Sequence, residues 1–154
     1  MASEVAAGAT AGMHIRIAAP EGHQPEEQYV ERARELGAGT GATARVLTDA
    51  RMAATGADVV VTDTWVSMGK EDEAADRLAA FADYTVTADL MSLAATDAIV
   101  MHCLPAYRGK EIDSEVLDGP QSVVWDEAEN RRHAQKAIIT WLMRETADLE
   151  EVPL

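Results

Sequence analysis

Three short stretches hold most of the residues of this 154-residue chain whose types and spacing suit chemistry. "DTWVSMG" (63–69) sets a carboxylate, Asp63, four residues before a hydroxyl, Ser67. "HCLPAYRG" (102–109) sets the imidazole of His102 beside the chain's single thiol, Cys103, with Leu104 and Pro105 directly after it. "AENRRHAQK" (128–136) carries two adjacent guanidinium groups, Arg131 and Arg132. A thiol in such a place can serve as nucleophile or base, and a guanidinium pairs with planar anions. Each residue also has a plain structural role open to it. Cys103 can be a small buried hydrophobe, and Pro105 can simply end a strand. Asp63 and the SMG residues suit a turn, and His102 suits a hydrogen-bonded core position. Arg131 stands within about two turns of a helix start, where the macrodipole disfavours a cation. It is either a solvated arginine or one whose anionic ligand offsets that dipole.

The elements that must position these groups alternate in kind. "MHIRIAA" (13–19) reads as a strand and "EEQYVERARELG" (26–37) as the helix after it, with Gly37 at the C′ position. "TARVLTD" reads as a second strand, and Asp49 as the N-cap of the helix "ARMAATG". "ADVVVTD" (57–63) has an unbroken valine run, the pattern of a strand covered on both faces. "EDEAADRLAAF" and the shorter "TADLMSLA" are helical, "DAIVMHC" is a fourth strand and "SVVWDE" a fifth. A last helix from about Glu127 to Glu150 places Ala134, Ala137, Ile138, Trp141 and Leu142 on one side. An Ala-rich helix precedes the first strand.

Parallel strands need crossover connections, so the alternation predicts an α/β fold. The expected architecture is an open, doubly wound parallel sheet of about five strands, with helices on both faces in three layers. Function in such a sheet belongs beyond the carboxyl ends of the strands. "DTWVSMG" and "CLPAYRG" both lie there.

Composition bounds the rest. Hydrophobic residues make up 47% of the chain, enough for one domain with a real core. A net charge of −14, with no cluster of basic residues, argues against nucleic acid and anionic membranes as partners. One cysteine forms no internal disulfide, and no apolar run approaches the ~20 residues of a membrane span, so the chain reads as cytosolic. The start, "MASEVAAGATAGMHIRI", has neither the basic region nor the apolar run of a signal peptide. The four histidines, at 14, 23, 102 and 133, are too scattered for a metal site. "GATAGM" and "GAGTGA" are glycine-rich but fit no phosphate-loop pattern, and the second lies at the wrong end of the sheet.

Taken together, "DTWVSMG", "HCLPAYRG" and "DEAENRRHAQKA", in this order and on these elements, resemble the ornithine carbamoyltransferases of the aspartate/ornithine carbamoyltransferase family, in their carboxyl-terminal, ornithine-binding domain. The resemblance runs from about Ala11 to Met143. Carbamoyltransferases acting on N-acylated ornithines share parts of the pattern.

The resemblance implies transfer of a carbamoyl group from carbamoyl phosphate to the side-chain amine of ornithine, giving citrulline and phosphate in arginine biosynthesis, with no cofactor. It implies that Asp63 and Ser67 hold the α-amino group of ornithine, assisted by the backbone at Met68. Cys103 would lie beside the attacking amine, Leu104 would present its carbonyl to the same region, and Arg131 would contact carbamoyl phosphate. The family's S-T-R-T-R loop and H-P-x-Q segment, which belong to its amino-terminal carbamoyl-phosphate domain, do not occur in this sequence, nor does its "GDGNN" junction. The expectation is therefore a single domain, 1–154, that is a poor enzyme alone. It would either work with a carbamoyl-phosphate-binding domain or subunit, or act as a non-catalytic ornithine-binding or subunit-interaction module. The full-length family forms homotrimers.

Overall fold

A computed structural model describes residues 2–66 and 71–147 of the chain. Ser67 and Met68 lie outside the described residues. The order is α1 (Ala2–Thr10), β1 (Ile15–Ala18), α2 (Glu27–Gly37), β2 (Ala44–Leu47), α3 (Ala50–Ala54), β3 (Val59–Thr62), α4 (Ala74–Ala80), α5 (Ala88–Met91), β4 (Ile99–His102), α6 (Ser114–Leu117) and α7 (Val124–Ala147). The chain is α/β with parallel strands, as the alternation of patterns requires. Local chemistry accounts for several boundaries. The Asp49 carboxylate accepts the N–H groups of Arg51 and Met52 and so starts α3, and the Thr87 hydroxyl accepts the Leu90 N–H and starts α5. Gly37 is not a left-handed C′ residue. It is the buried last residue of α2, and a Cβ there would come within 2.9 Å of the Ala42 carbonyl oxygen, so the position needs absence of bulk.

The strands form two parallel pairs, β1 with β2 and β3 with β4. Among the described residues β1 and β3 share no ladder; the Arg16 guanidinium instead donates to the Thr55 carbonyl, 2.7 Å away, just before β3. The expected fifth strand, "SVVWDE", shrinks to one bridge, Val100 with Ser122, backed by the bonds Val100 N–H to Gln121 O (2.8 Å) and Val123 N–H to Val100 O (3.0 Å). The reason is the early start of α7: Val124 already opens the helix, three residues before the expected point, with Asp126 and Glu127 in the first turn where the dipole favours them.

Each pair has its own core. Val5, Ala9, Ile17, Val30, Ala33 and Ala44 bury together around β1 and β2. Around β3 and β4 the core is larger, with Val86, Leu90, Met91, Val100, Ile112, Val116, Leu117 and Val124 among its buried members. Side chains alternate across a strand, so Val60 packs on that core while Val59 and Val61 point the other way. These two are 40% and 53% exposed, so β3 is covered on one face rather than two. The long last helix differs from expectation as well. Ile138, Trp141 and Leu142 do share a side, but all three are exposed, because α7 packs on β4 near its start and then runs past the core. Among the described residues no helix is long and apolar enough to cross a membrane, and no group of His, Cys, Asp and Glu is placed to hold a metal.

Candidate functional site

Parallel register brings the first two groups together. Thr62 of β3 pairs with His102 of β4 as the last rung of the ladder, and the next residue on each strand is Asp63 and Cys103. Both side chains leave the sheet at its carboxyl edge, and the Cys103 thiol donates to Asp63 Oδ1 at 2.9 Å. The same oxygen accepts the Thr64 N–H at 2.7 Å, which turns the chain away from the strand. An aromatic group then holds the departing loop. Trp65 stacks on Phe81 with ring centres 5.6 Å apart, and Phe81 meets His23 and Tyr84 edge-on. Arg77 of α4 donates to the Trp65 carbonyl at 3.1 Å.

The third group arrives from α7. Glu127 and Arg131 are four residues apart and so face the same way. Glu127 Oε2 accepts the His102 N–H at 3.0 Å, and Arg131 Nη2 donates to the Cys103 carbonyl at 2.8 Å. Arg131 is itself exposed beside the turn. Leu104 takes a left-handed backbone, φ 54°, and is followed by a cis bond to Pro105. Its N–H donates to His102 Nδ1 at 2.8 Å.

The charges that shift the thiol are all carboxylates. Burial, the hydrogen bond to Asp63 and the negative field of Asp63, Glu4 and Glu127 push the Cys103 thiol up to about 12. In this arrangement Cys103 is therefore a proton-holding donor, and the thiolate that a base or nucleophile requires is scarce. A positive charge placed among these carboxylates would lower the thiol again.

The thiol's state can be read directly, since the chain has one cysteine. The rate of Cys103 alkylation by iodoacetamide should keep climbing with pH, roughly tenfold per unit, through about pH 10, where an ordinary thiol levels off near its reference value of about 8.5. A plateau centred near 8.5 would show that Asp63 does not hold the thiol.

The structure thus brings together Asp63, Cys103, Leu104 and Arg131, and leaves Arg132 turned to Glu129 on the surface of α7 at 2.8 Å. Sequence reasoning missed two acidic residues. Glu127 had a signal, its helical spacing from Arg131. Glu111 had none: it lies nine residues from His102, beyond the turn, yet meets its Nε2 at 3.2 Å in full burial.

Residues 1–142 match the family model described as "Aspartate/ornithine carbamoyltransferase, Asp/Orn binding domain". The ornithine carbamoyltransferase of Clavibacter michiganensis is 61% identical over 144 residues, covering 94% of this chain and 47% of that protein. That of Renibacterium salmoninarum is 60% identical over 141 residues, covering 92% and 45%. Among solved structures, ornithine carbamoyltransferase from Pyrococcus furiosus superposes with a TM-score of 0.85 at 44% identity, covering 90% of this chain and 44% of that one. The chain spans about half the length of the curated relatives it matches.

Proposed function

From the premise that the chain belongs to the aspartate/ornithine carbamoyltransferase family, as its Asp/Orn-binding domain, we propose that it supplies the amino-acid half of an ornithine carbamoyltransferase site. The observation that carries this is the contact between Asp63 and Cys103, set by strand register, with Arg131 tied to the same turn. Asp63 receives the α-amino group of ornithine, with Ser67 and the Met68 backbone completing that contact. Cys103 lies beside the side-chain amine, and Arg131 and the Leu104 carbonyl face carbamoyl phosphate.

The chemistry follows from charge. The side-chain amine of ornithine resembles that of lysine, with a reference pKa of about 10.4, and arrives protonated. Its positive charge relieves the field that keeps Cys103 protonated, so the thiol's proton affinity falls and its proton can pass along the hydrogen bond to Asp63, which frees the sulfur to accept one from the ammonium. As the ammonium passes one proton to that sulfur, its lone pair attacks the carbamoyl carbon, the bond from that carbon to the phosphate oxygen breaks, and the departing phosphate takes the second proton from the nitrogen. Arg131 pairs with the departing phosphate, and citrulline is the other product. The setting is arginine biosynthesis in the cytoplasm.

One arginine is a thin complement of charge for a phosphate leaving group, and preorganised charge around the transferring group usually supplies much of the rate. The carbamoyl-phosphate domain of the full-length relatives is the partner that would add it, in a homotrimeric assembly. Purified chain should therefore bind ornithine yet form little or no citrulline from ornithine and carbamoyl phosphate. Turnover abolished by Cys103→Ala would mean that half a site suffices. Absence of ornithine binding would overturn the reading.

A second reading is a non-catalytic ornithine-binding or subunit-interaction module, favoured by the exposed apolar side of α7 at Ile138 and Trp141. Adding a relative's isolated carbamoyl-phosphate domain separates the two: citrulline formation supports the half-site, and ornithine binding without turnover supports the module. Binding of N-acetylornithine in preference to ornithine would point to the acylated substrates.

A further inference from the structure

We propose that His102 and Glu111, which the reaction above does not use, are positioning residues that hold the Cys103–Leu104 turn in its working shape. The proposal rests on the functional reading only for what the turn is for. His102 and Glu111 are both 1% exposed, the only polar or charged residues buried to that degree among those described. Buried polar groups of this kind cost free energy unless they are hydrogen-bonded, and here the two side chains bond to each other and to the N–H groups of Leu104 and Tyr107. His102 Nδ1 accepts the Leu104 N–H, so that nitrogen carries no proton and the ring proton sits on Nε2. Nε2 then donates to Glu111 Oε1 at 3.2 Å, and the same carboxylate oxygen accepts the Tyr107 N–H. Glu111 thereby selects the tautomer that leaves Nδ1 free to accept.

The bond to Nδ1 matters because Leu104 is the one non-glycine residue with positive φ among those described. A left-handed leucine is disfavoured and persists only where its surroundings over-determine it. Three bonds do so here: His102 N–H to Glu127, Leu104 N–H to His102, and Tyr107 N–H to Glu111. His102 and Glu111 are both buried away from solvent. They act through the turn, by aiming the Cys103 thiol at Asp63 and its carbonyl at Arg131.

Two histidine replacements separate positioning from mere filling of space. Asn places a polar atom where Nδ1 was, and Gln places one where Nε2 was. His102→Asn should keep the Leu104 bond and alkylate Cys103 within about threefold of the parent chain. His102→Gln loses that bond, releases the turn and frees the thiol from Asp63. A thiol falling from about 12 toward the ordinary 8.5 gains roughly a thousandfold in thiolate at pH 8, and lower intrinsic nucleophilicity takes back about one and a half decades. The expected gain in alkylation rate for His102→Gln is thus on the order of 10- to 100-fold.

Val30→Ala, in the other core, serves as the control: it should lower the melting temperature without changing alkylation. Equal rates in the two histidine variants, or an equal rise in Val30→Ala, would overturn the proposal. If neither histidine variant folds, Glu111→Leu against Glu111→Gln asks the same question, with the acceptor removed in one and kept in the other; equal rates there overturn it too. Protection of Cys103 by ornithine in the parent chain is a separate reading. Its absence would count against the ornithine site and leave the positioning of the turn standing.

Discussion

Asp63→Asn should weaken ornithine binding by roughly 10- to 100-fold while leaving the fold unchanged. The size follows from what is removed. A charge-assisted hydrogen bond contributes about 1.5–3 kcal/mol, and a tenfold change in affinity corresponds to about 1.4 kcal/mol. The selectivity for function over stability follows from where Asp63 stands. It is exposed at the end of β3, outside both cores, and its structural duty is to accept the Thr64 N–H at 2.7 Å. An asparagine oxygen can accept that bond equally well, so the turn survives and only the negative charge is lost. Calorimetric titration with ornithine beside a thermal melt checks both halves. Unchanged affinity would sink the assignment, and a large fall in melting temperature would show that Asp63 is structural. The same variant should lower the thiol of Cys103, because two of the causes that raise it are the hydrogen bond and the charge of Asp63.

The second large effect is one of stability. Ile112 is fully buried, and its backbone lies beside both Val86 and Arg108 as single parallel bridges, at the point where the chain returns beneath the turn. Ile112→Ala removes three carbons from the larger core and leaves a cavity, at a cost of about 2–5 kcal/mol. A domain of this size has a total stability of about 5–15 kcal/mol, so the loss is a large fraction of the whole. In urea the midpoint should fall with the slope unchanged. A loss under about 1 kcal/mol would mean that the site collapses to fill the gap, and that the turn is supported mainly by its hydrogen bonds.

How much of this was legible in the sequence depends on the range of the interaction concerned. Asp63 and Cys103 could be read because each stands two residues past an apolar run, just beyond the strand, and parallel pairing makes strand ends coincide. Asp49 could be read as a cap because its partners lie two and three residues on. The valines of 59–61 could not disclose one-sided cover, since an apolar run states what a strand tolerates on each face and not what packs there. The apolar stripe of α7 misled for the same reason: Ile138, Trp141 and Leu142 share a side, and spacing says nothing of whether anything covers it. "SVVWDE" reads equally as strand or helix start, and the carboxylates Asp126 and Glu127 decide for the helix. Glu111 was hidden by distance. Its partner is reached only through a turn whose conformation no local pattern announces.

The two separate cores carry one more implication, for how the molecule yields under stress. Asp63, Cys103, Leu104 and Arg131, with the supporting Glu111 and Glu127, all belong to elements of the β3–β4 half, and α3 is the short helix that packs both against β1 and β2 and against that half. Cooperative units in proteins tend to follow such divisions of buried surface. The β1–β2 half can therefore loosen as a unit, through α3, with the constellation still assembled, apart from the field that Glu4 of α1 exerts on the thiol. Function would be lost last, when the half that carries it melts, and partial unfolding would pass unseen by any assay that watches the site alone.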